Sequence, residues 1–147
     1  MEPSTRKNDL IHYENVTSPT GPAMTWSMHS INNLDIGNKT KADENFENCY
    51  KKYVTDEFKI WSEVPVGRYG GANFITGVGG FLQALINGYA GVRVHFGYME
   101  VKSGFVPASV KSLTVSGVKY LGSSFELQVG VNNSTIIICT SSSTSIH

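Results

Sequence analysis

The sequence predicts an α+β fold in which helices come first and antiparallel strands follow. Up to Gly91, apolar residues recur every three or four positions, as on one face of an α-helix. Beyond Gly91 they alternate with polar residues, and short clusters of Gly, Ser and Asn separate the runs, as between strands. The expected organisation is a helical segment over residues 1–91, a small antiparallel β domain over 92–140 and a disordered, Ser- and Thr-rich tail over 141–147.

Two helices are expected before the centre of the chain. Residues 1–9 are polar and expected to fray, and a Pro- and Gly-rich loop, TSPTGP, follows. Pro22 suits the first turn of a helix that ends near Gly37. A second helix fits residues 41–57, with acids early and lysines late, as the helix dipole favours. The expected apolar stripes are Met24, Met28, Ile31 and Leu34 in the first of these helices, and Phe46, Cys49, Tyr50, Tyr53 and Val54 in the second.

A third, glycine-rich helix is expected over residues 73–89. Asn73 is a candidate cap, and Gly88 and Gly91 are candidate ends. One side of this helix is apolar, whereas the other is small or polar. A glycine inside a helix costs about 1 kcal/mol relative to alanine, so we expect another backbone or a ligand to approach the small side closely. That side consists of Gly77, Gly79, Gly80, Gln83, Ala84 and Asn87.

The second half of the chain predicts one small antiparallel sheet of about four to six strands. Cys49 falls in a helical stretch and Cys139 in a stranded one, and two buried thiols are favoured over a disulfide or a reactive thiol.

Composition argues against several classes of partner. Twelve basic and twelve acidic side chains balance, which gives no bias toward nucleic acid or an anionic membrane. The sequence has no eighteen-residue apolar span, and its first ten residues lack the apolar core of an export signal, so the cytoplasm is the default expectation. No histidine has a partner at metal-ligand spacing, and neither a metal nor a cofactor is predicted.

Three separated stretches, VTSPTGPAMTWSM, KIWSE and GGANFITGVGGFLQALINGYAGVRV, resemble the C-terminal part of glycoside hydrolase family 65. The resemblance implies that the helices are the last ones of an (α/α)6 barrel and that a small β domain follows. It also implies inversion at the anomeric carbon, with Glu63 as general base and a general acid upstream of this chain. The barrel would then be incomplete here.

Within the family, the resemblance is to α-glucosidases that remove the terminal glucose of glucosyl-galactosyl-hydroxylysine on collagen-type substrates. Two alternatives stay open. One is a disaccharide phosphorylase, although this sequence has Phe74 where phosphorylases carry a histidine. The other is a non-catalytic carbohydrate-binding or interaction module derived from the same family.

Glu63 follows Trp61 in an irregular loop, a common place for a functional side chain, and a sugar face can stack on the indole. Without the resemblance, Glu63 would be interpreted as one solvated acid among twelve. Trp26 is expected either to line the sugar site or to belong to the core. Arg68 is expected to hold substrate, to pair with Glu63 or to be an ordinary surface residue. Thr17, Ser18 and Thr20 are expected to be turn or capping residues, with hydrogen bonds to sugar hydroxyls as the alternative, and Asp56 and Glu57 are expected to be solvated.

Overall fold

The computed structural model describes residues 2–102 and 104–142. These residues form two compact units that divide between Gly88 and Tyr89, one helical and one built of strands. The predicted α+β class is confirmed, whereas the placement of these helices in an (α/α)6 barrel stays a prediction. The helical elements are α1 Pro3–Val16, α2 Met24–Asp35, α3 Lys39–Lys51, α4 Ile75–Gln83 and a π-helix Ala84–Tyr89; the strands are β1 Val92–His95, β2 Tyr98–Val101, β3 Ser112–Tyr120, β4 Ser123–Gly130 and β5 Thr135–Ser142.

Helix α1 begins at Pro3, so the expected fraying of residues 1–9 is wrong beyond the first residues. Proline is favoured at this position because an N–H here would have no partner within the helix, so its absence in proline costs no hydrogen bond. The helix is held to α2 and α3 largely by polar groups. One carboxylate oxygen of Glu14 accepts a hydrogen bond from the side-chain amide of Asn33 and another from that of Asn45, each at 2.7 Å. Both asparagines are buried.

A second polar contact joins the end of α1 to α2. The Thr17 hydroxyl lies 2.9 Å from Nε2 of His29, a side chain that is only 7% exposed. Burial lowers the pKa of His29 below 6.5, and this effect exceeds the opposite effect of the Glu14 carboxylate. The folded state therefore favours the neutral imidazole.

The free energy of unfolding is expected to decrease as the pH falls below 6.5, the unfolded pKa of His29. Below that pH the unfolded chain binds the proton more readily than the folded chain. The free energy of unfolding therefore continues to decrease until the pH has passed the lowered pKa of His29 in the folded chain. Urea titrations between neutral pH and pH 5 test this. The variant His29→Gln, which has no titrating group, should show a flatter profile, and an equally steep one would contradict the assignment.

Part of the small side of α4 and the π-helix is buried, which confirms the expected close approach at those positions. An added Cβ at Gly80 would lie 3.0 Å from the Ser27 hydroxyl, and one at Gly88 would lie 3.1 Å from a methyl of Leu34, both on α2. Gly79 and Gln83 of the small side are exposed instead. The buried positions are Gly77, Gly80, Ala84, Gly88 and Tyr89, and the exposed apolar ones include Ile75 and Leu82.

The predicted helix ends differ from the observed ones in two places. The helix expected over residues 41–57 ends at Lys51, because the backbone beyond it turns and pairs with the loop that follows. Asn73 does not cap α4: its backbone is in the left-handed region at φ 57°, and Phe74 precedes the first helical residue without a side-chain cap.

Gly79 offers a test of α4 that involves no packing. A methyl group added there meets no atom within 4 Å, and the residue is exposed on the helix. We expect Gly79→Ala to raise the free energy of unfolding by about 1 kcal/mol, because alanine loses less backbone entropy in a helix than glycine does. Urea denaturation followed by helical circular dichroism measures this change. A lower stability would mean that α4 is not a regular helix at this point.

The strands form two sheets, so the expectation of a single sheet is wrong. Strands β1 and β2 make an antiparallel hairpin, while β3, β4 and β5 make an antiparallel sheet in that order. Strand β5 extends to Ser142, so the first two residues of the predicted disordered tail belong to a strand, and residues 143–147 lie outside the described part. The buried core of this unit is formed by Ala90, Val92, Val106, Leu127 and Val129.

Candidate active site

The stretch around Glu63 is a short ladder of extended backbone. On one side, the Ser62 N–H donates to the Tyr53 carbonyl at 2.7 Å. On the other, the Glu63 N–H donates to the Gly71 carbonyl at 2.8 Å, and Ser62 pairs with Ala72. The loop has no regular secondary structure, yet backbone hydrogen bonds hold it on both sides. These bonds fix the main chain from which a functional side chain would extend.

The loop before α2, which contains the TSPTGPA stretch, also reaches Glu63. The N–H of Ala23, just before α2, donates to the carbonyl oxygen of Glu63 at 3.0 Å. The structure therefore brings together the TSPTGPA and KIWSE stretches, which are separated by about forty residues in the chain. The main-chain groups of Glu63 are bonded to Gly71 on one side and to Ala23 on the other.

The carboxylate of Glu63 is partly exposed and only partly bonded. Oxygen Oε2 accepts a hydrogen bond from the Gly71 N–H at 3.3 Å. Within residues 2–102 and 104–142, no basic side chain forms an ion pair with it. None of the described residues donates a hydrogen bond to the second oxygen, so a water molecule can reach it. A general base needs such an oxygen, and this role of Glu63 stays a prediction.

Trp61 lies against α4, behind the ladder. Its ring centroid is 5.4 Å from that of Phe81, and its indole N–H is buried without a hydrogen-bond partner in the described part of the protein. An unpaired buried donor costs about 1–3 kcal/mol, so packing and not hydrogen bonding fixes this ring. The predicted stacking of a sugar on Trp61 stays a prediction.

Trp26 is tied to the protein through its polar edge. Its indole N–H donates to the Tyr53 hydroxyl at 2.7 Å, and that hydroxyl donates to the Gly21 carbonyl at 2.8 Å. Burial raises the pKa of Tyr53, which keeps the hydroxyl protonated. The spacing of apolar residues predicts Tyr53 on an apolar helix face and does not predict this hydrogen-bonded link. The one sequence feature that pointed to this link is a tyrosine within a run of buried residues, because a buried tyrosine hydroxyl usually has a hydrogen-bond partner.

Arg68 lies in the loop after Glu63 and is exposed. Its side chain forms no ion pair with Glu63 or with any other side chain in the described ranges, so the predicted Glu63–Arg68 pair is not found. The Thr17 hydroxyl donates to the Tyr13 carbonyl, as expected of a residue at a helix end. The roles of Trp26 and Arg68 in binding substrate stay predictions.

The two cysteines differ, and the expectation of two buried thiols is half wrong. Cys49 is buried on α3, and burial raises the pKa of its thiol to about 11. Cys139 is exposed, because it lies on β5 at the edge of its sheet. Among the residues with a described placement, no group of three His, Cys, Asp or Glu side chains could hold a metal ion. None of the helices in those ranges has both the length and the apolar character needed to span a bilayer.

Comparison with known proteins gives a consistent set of relatives. A protein-glucosylgalactosylhydroxylysine glucosidase of Danio rerio is 46% identical over 122 residues, which is 83% of this chain and 18% of the relative. The protein of the same name from Dictyostelium discoideum is 42% identical over 136 residues, which is 92% of this chain and again 18% of the relative.

More distant relatives are bacterial. A kojibiose hydrolase of Mucilaginibacter mallensis is 34% identical over 121 residues, which is 80% of this chain and 17% of that protein. No family model matches the chain. The chain thus spans less than a fifth of the length of the curated relatives it matches. These matches confirm the resemblance to glycoside hydrolase family 65: the chain is homologous to one segment of protein-glucosylgalactosylhydroxylysine glucosidases and, more distantly, of kojibiose hydrolases.

Proposed function

We propose that this chain supplies the general-base part of an inverting α-glucosidase site, with Glu63 as the base. The observation that carries the proposal is the state of Glu63. Its backbone is held by Ala23 and Gly71, while its carboxylate has one bonded oxygen and one free one. A carboxylate fixed in this way can orient a water molecule for in-line attack on an anomeric carbon, as inverting glycosidases require.

The substrate class follows from the names of the relatives. We propose that the sugar is the terminal glucose of glucosyl-galactosyl-hydroxylysine or of a related α-glucoside such as kojibiose. We further propose that Trp26, Trp61 and Arg68 contact it, through two aromatic rings and one unpaired guanidinium. Residues 1–91 would then be the closing helices of an (α/α)6 barrel and residues 92–140 its β domain.

The reaction needs a second group that this proposal does not assign to the chain. An inverting enzyme protonates the leaving oxygen with a carboxylic acid about 6.5–9.5 Å from the base. The resemblance places that acid in a part of the family's sequence that has no counterpart here. A substrate whose leaving group departs without protonation would therefore depend on Glu63 alone.

α-Glucosyl fluoride is such a substrate, because fluoride is a good leaving group as the free anion. We expect the purified chain to release fluoride and glucose from it in phosphate-free buffer, with β-glucose as the first product by proton NMR. Kojibiose and a glucosyl-galactosyl-hydroxylysine peptide serve as natural substrates in parallel. Turnover that requires added phosphate would support the phosphorylase alternative. No turnover of any of the three would overturn the proposed activity of this chain and leave the binding module as the alternative.

A further inference from the structure

The indole of Trp61 fills a gap in the surface of α4 that exists because residue 77 is glycine. We call this gap the Trp61 notch; Ala23, Gly77 and Phe81 line it. A Cβ added at Gly77 would lie 2.6 Å from the indole nitrogen, 2.7 Å from its Cδ1 and 3.1 Å from the Cβ of Ala23. Real Cβ atoms essentially never approach a heavy atom this closely, so only glycine admits the ring.

The notch connects α4 to the ladder that carries Glu63. The Trp61 carbonyl accepts a hydrogen bond at 2.8 Å from the N–H of Phe74, the residue directly before α4. The Trp61 ring packs on Phe81, two turns further along the same helix. Trp61 is thus fixed to α4 at both its backbone and its side chain. Glu63 is only two residues away on the same extended segment.

The notch also connects to the loop before α2. Ala23 contributes its methyl group to the notch and its N–H to the Glu63 carbonyl. A ring that moved out of the notch would therefore change both the segment of Glu63 and the residue that bonds it from the opposite side. Within residues 2–102 and 104–142, the buried indole N–H has no hydrogen-bond partner. Packing, and not a side-chain hydrogen bond, therefore holds the ring in place.

We propose that Trp61, seated against Gly77, is a positioning residue that sets the location of the Glu63 carboxylate. The inference rests on the proposed function, because it assigns a role in placing the general base. It is separate from any contact between Trp61 and sugar. A displacement of about 1 Å at a catalytic group lowers the rate about 10²-fold, so a notch this tight would matter for turnover.

The fit itself is tested by a double-mutant cycle. Gly77→Ala is expected to lower the urea midpoint in the native chain, because the methyl group collides with the indole. In a Trp61→Val background the same substitution is expected to lower the midpoint by much less, because only the 3.1 Å contact with the Cβ of Ala23 remains and alanine favours the helix. Gly79→Ala, which meets nothing, should raise the midpoint equally in both backgrounds. An equal loss for Gly77→Ala in both backgrounds would overturn the proposed fit.

Positioning is tested through the Gly71 amide, which donates to the Glu63 carboxylate. In the native chain its NMR resonance should move on Glu63→Gln substitution, because the acceptor of its hydrogen bond loses its charge. We expect this response to be lost in Gly77→Ala and in Trp61→Val. It should persist in Gly80→Ala, whose added methyl group meets Ser27 and Met24 instead of Trp61. A Gly71 response retained in both folded Trp61-notch variants would overturn the proposal.

Turnover of α-glucosyl fluoride gives a second readout. Gly77→Ala should lower kcat about 10²-fold, because the base moves, and any loss of the proposed contact between Trp61 and the sugar should appear separately in KM. Failure of the proposed function and failure of the positioning role remain distinguishable. If the native chain has no turnover, the function fails, whereas the Gly71 resonance still decides whether Trp61 places the Glu63 carboxylate.

Discussion

Replacing Glu63 by glutamine is expected to lower the turnover of α-glucosyl fluoride by about 10²–10⁴-fold. Glutamine has nearly the same shape, and its amide oxygen can still accept the hydrogen bond from the Gly71 N–H. It cannot take a proton from water at neutral pH. The variant therefore removes the base while leaving the ladder in place, and the rate of fluoride release measures the loss directly.

A matched control is Glu57→Gln. Glu57 is an exposed acid in the turn after α3, so the variant makes the same change in charge and in side chain away from the ladder. Its turnover should equal that of the native chain. If Glu63→Gln also keeps native turnover, Glu63 is not the base. If both variants lose turnover equally, net charge and not proton transfer explains the effect.

Glu14→Ala is expected to lower the free energy of unfolding of the helical unit by about 2–4 kcal/mol. The substitution leaves the side-chain amides of Asn33 and Asn45 without their shared acceptor, and each unpaired buried group costs about 1–3 kcal/mol. The Asn33 amide keeps a second acceptor, the His29 carbonyl, so its share should be the smaller one. Urea denaturation followed by helical circular dichroism measures the change.

Two further variants separate this polar link from the helix propensity of α1. Glu14→Gln keeps one acceptor oxygen and should show a smaller loss than Glu14→Ala. Asp9→Ala changes an exposed acid of α1 and should change the stability by less than about 0.5 kcal/mol. A loss for Glu14→Ala no larger than that for Asp9→Ala would show that the carboxylate does not hold α1 to its neighbours.

The sequence predicted the irregular loop of Glu63, because a Pro- and Gly-rich stretch with a single acid leads into a glycine-rich helix. The role of Glu63 came from the motif resemblance and stays a prediction. The stripe of Met24, Met28, Ile31 and Leu34 was a weaker guide. Met28 is exposed, whereas the buried positions of α2 include Ser27, Ser30 and Asn33. Periodicity counts apolar residues, but it cannot register polar residues such as Ser30 and Asn33, which are buried with hydrogen-bond partners.

By itself, the sequence determined that helices come before strands, that glycines of α4 admit close neighbours, and the relationship to known glycosidases. These depend on local spacing and on the identity of residues along the chain. Only the tertiary structure decided that the carbonyl of Glu63 meets the N–H of Ala23, that Tyr53 joins Trp26 to Gly21, and that the ring of Trp61 requires glycine at residue 77. The reason is physical. Such contacts join residues far apart in the chain, and their distances are fixed by close packing, which no local pattern encodes.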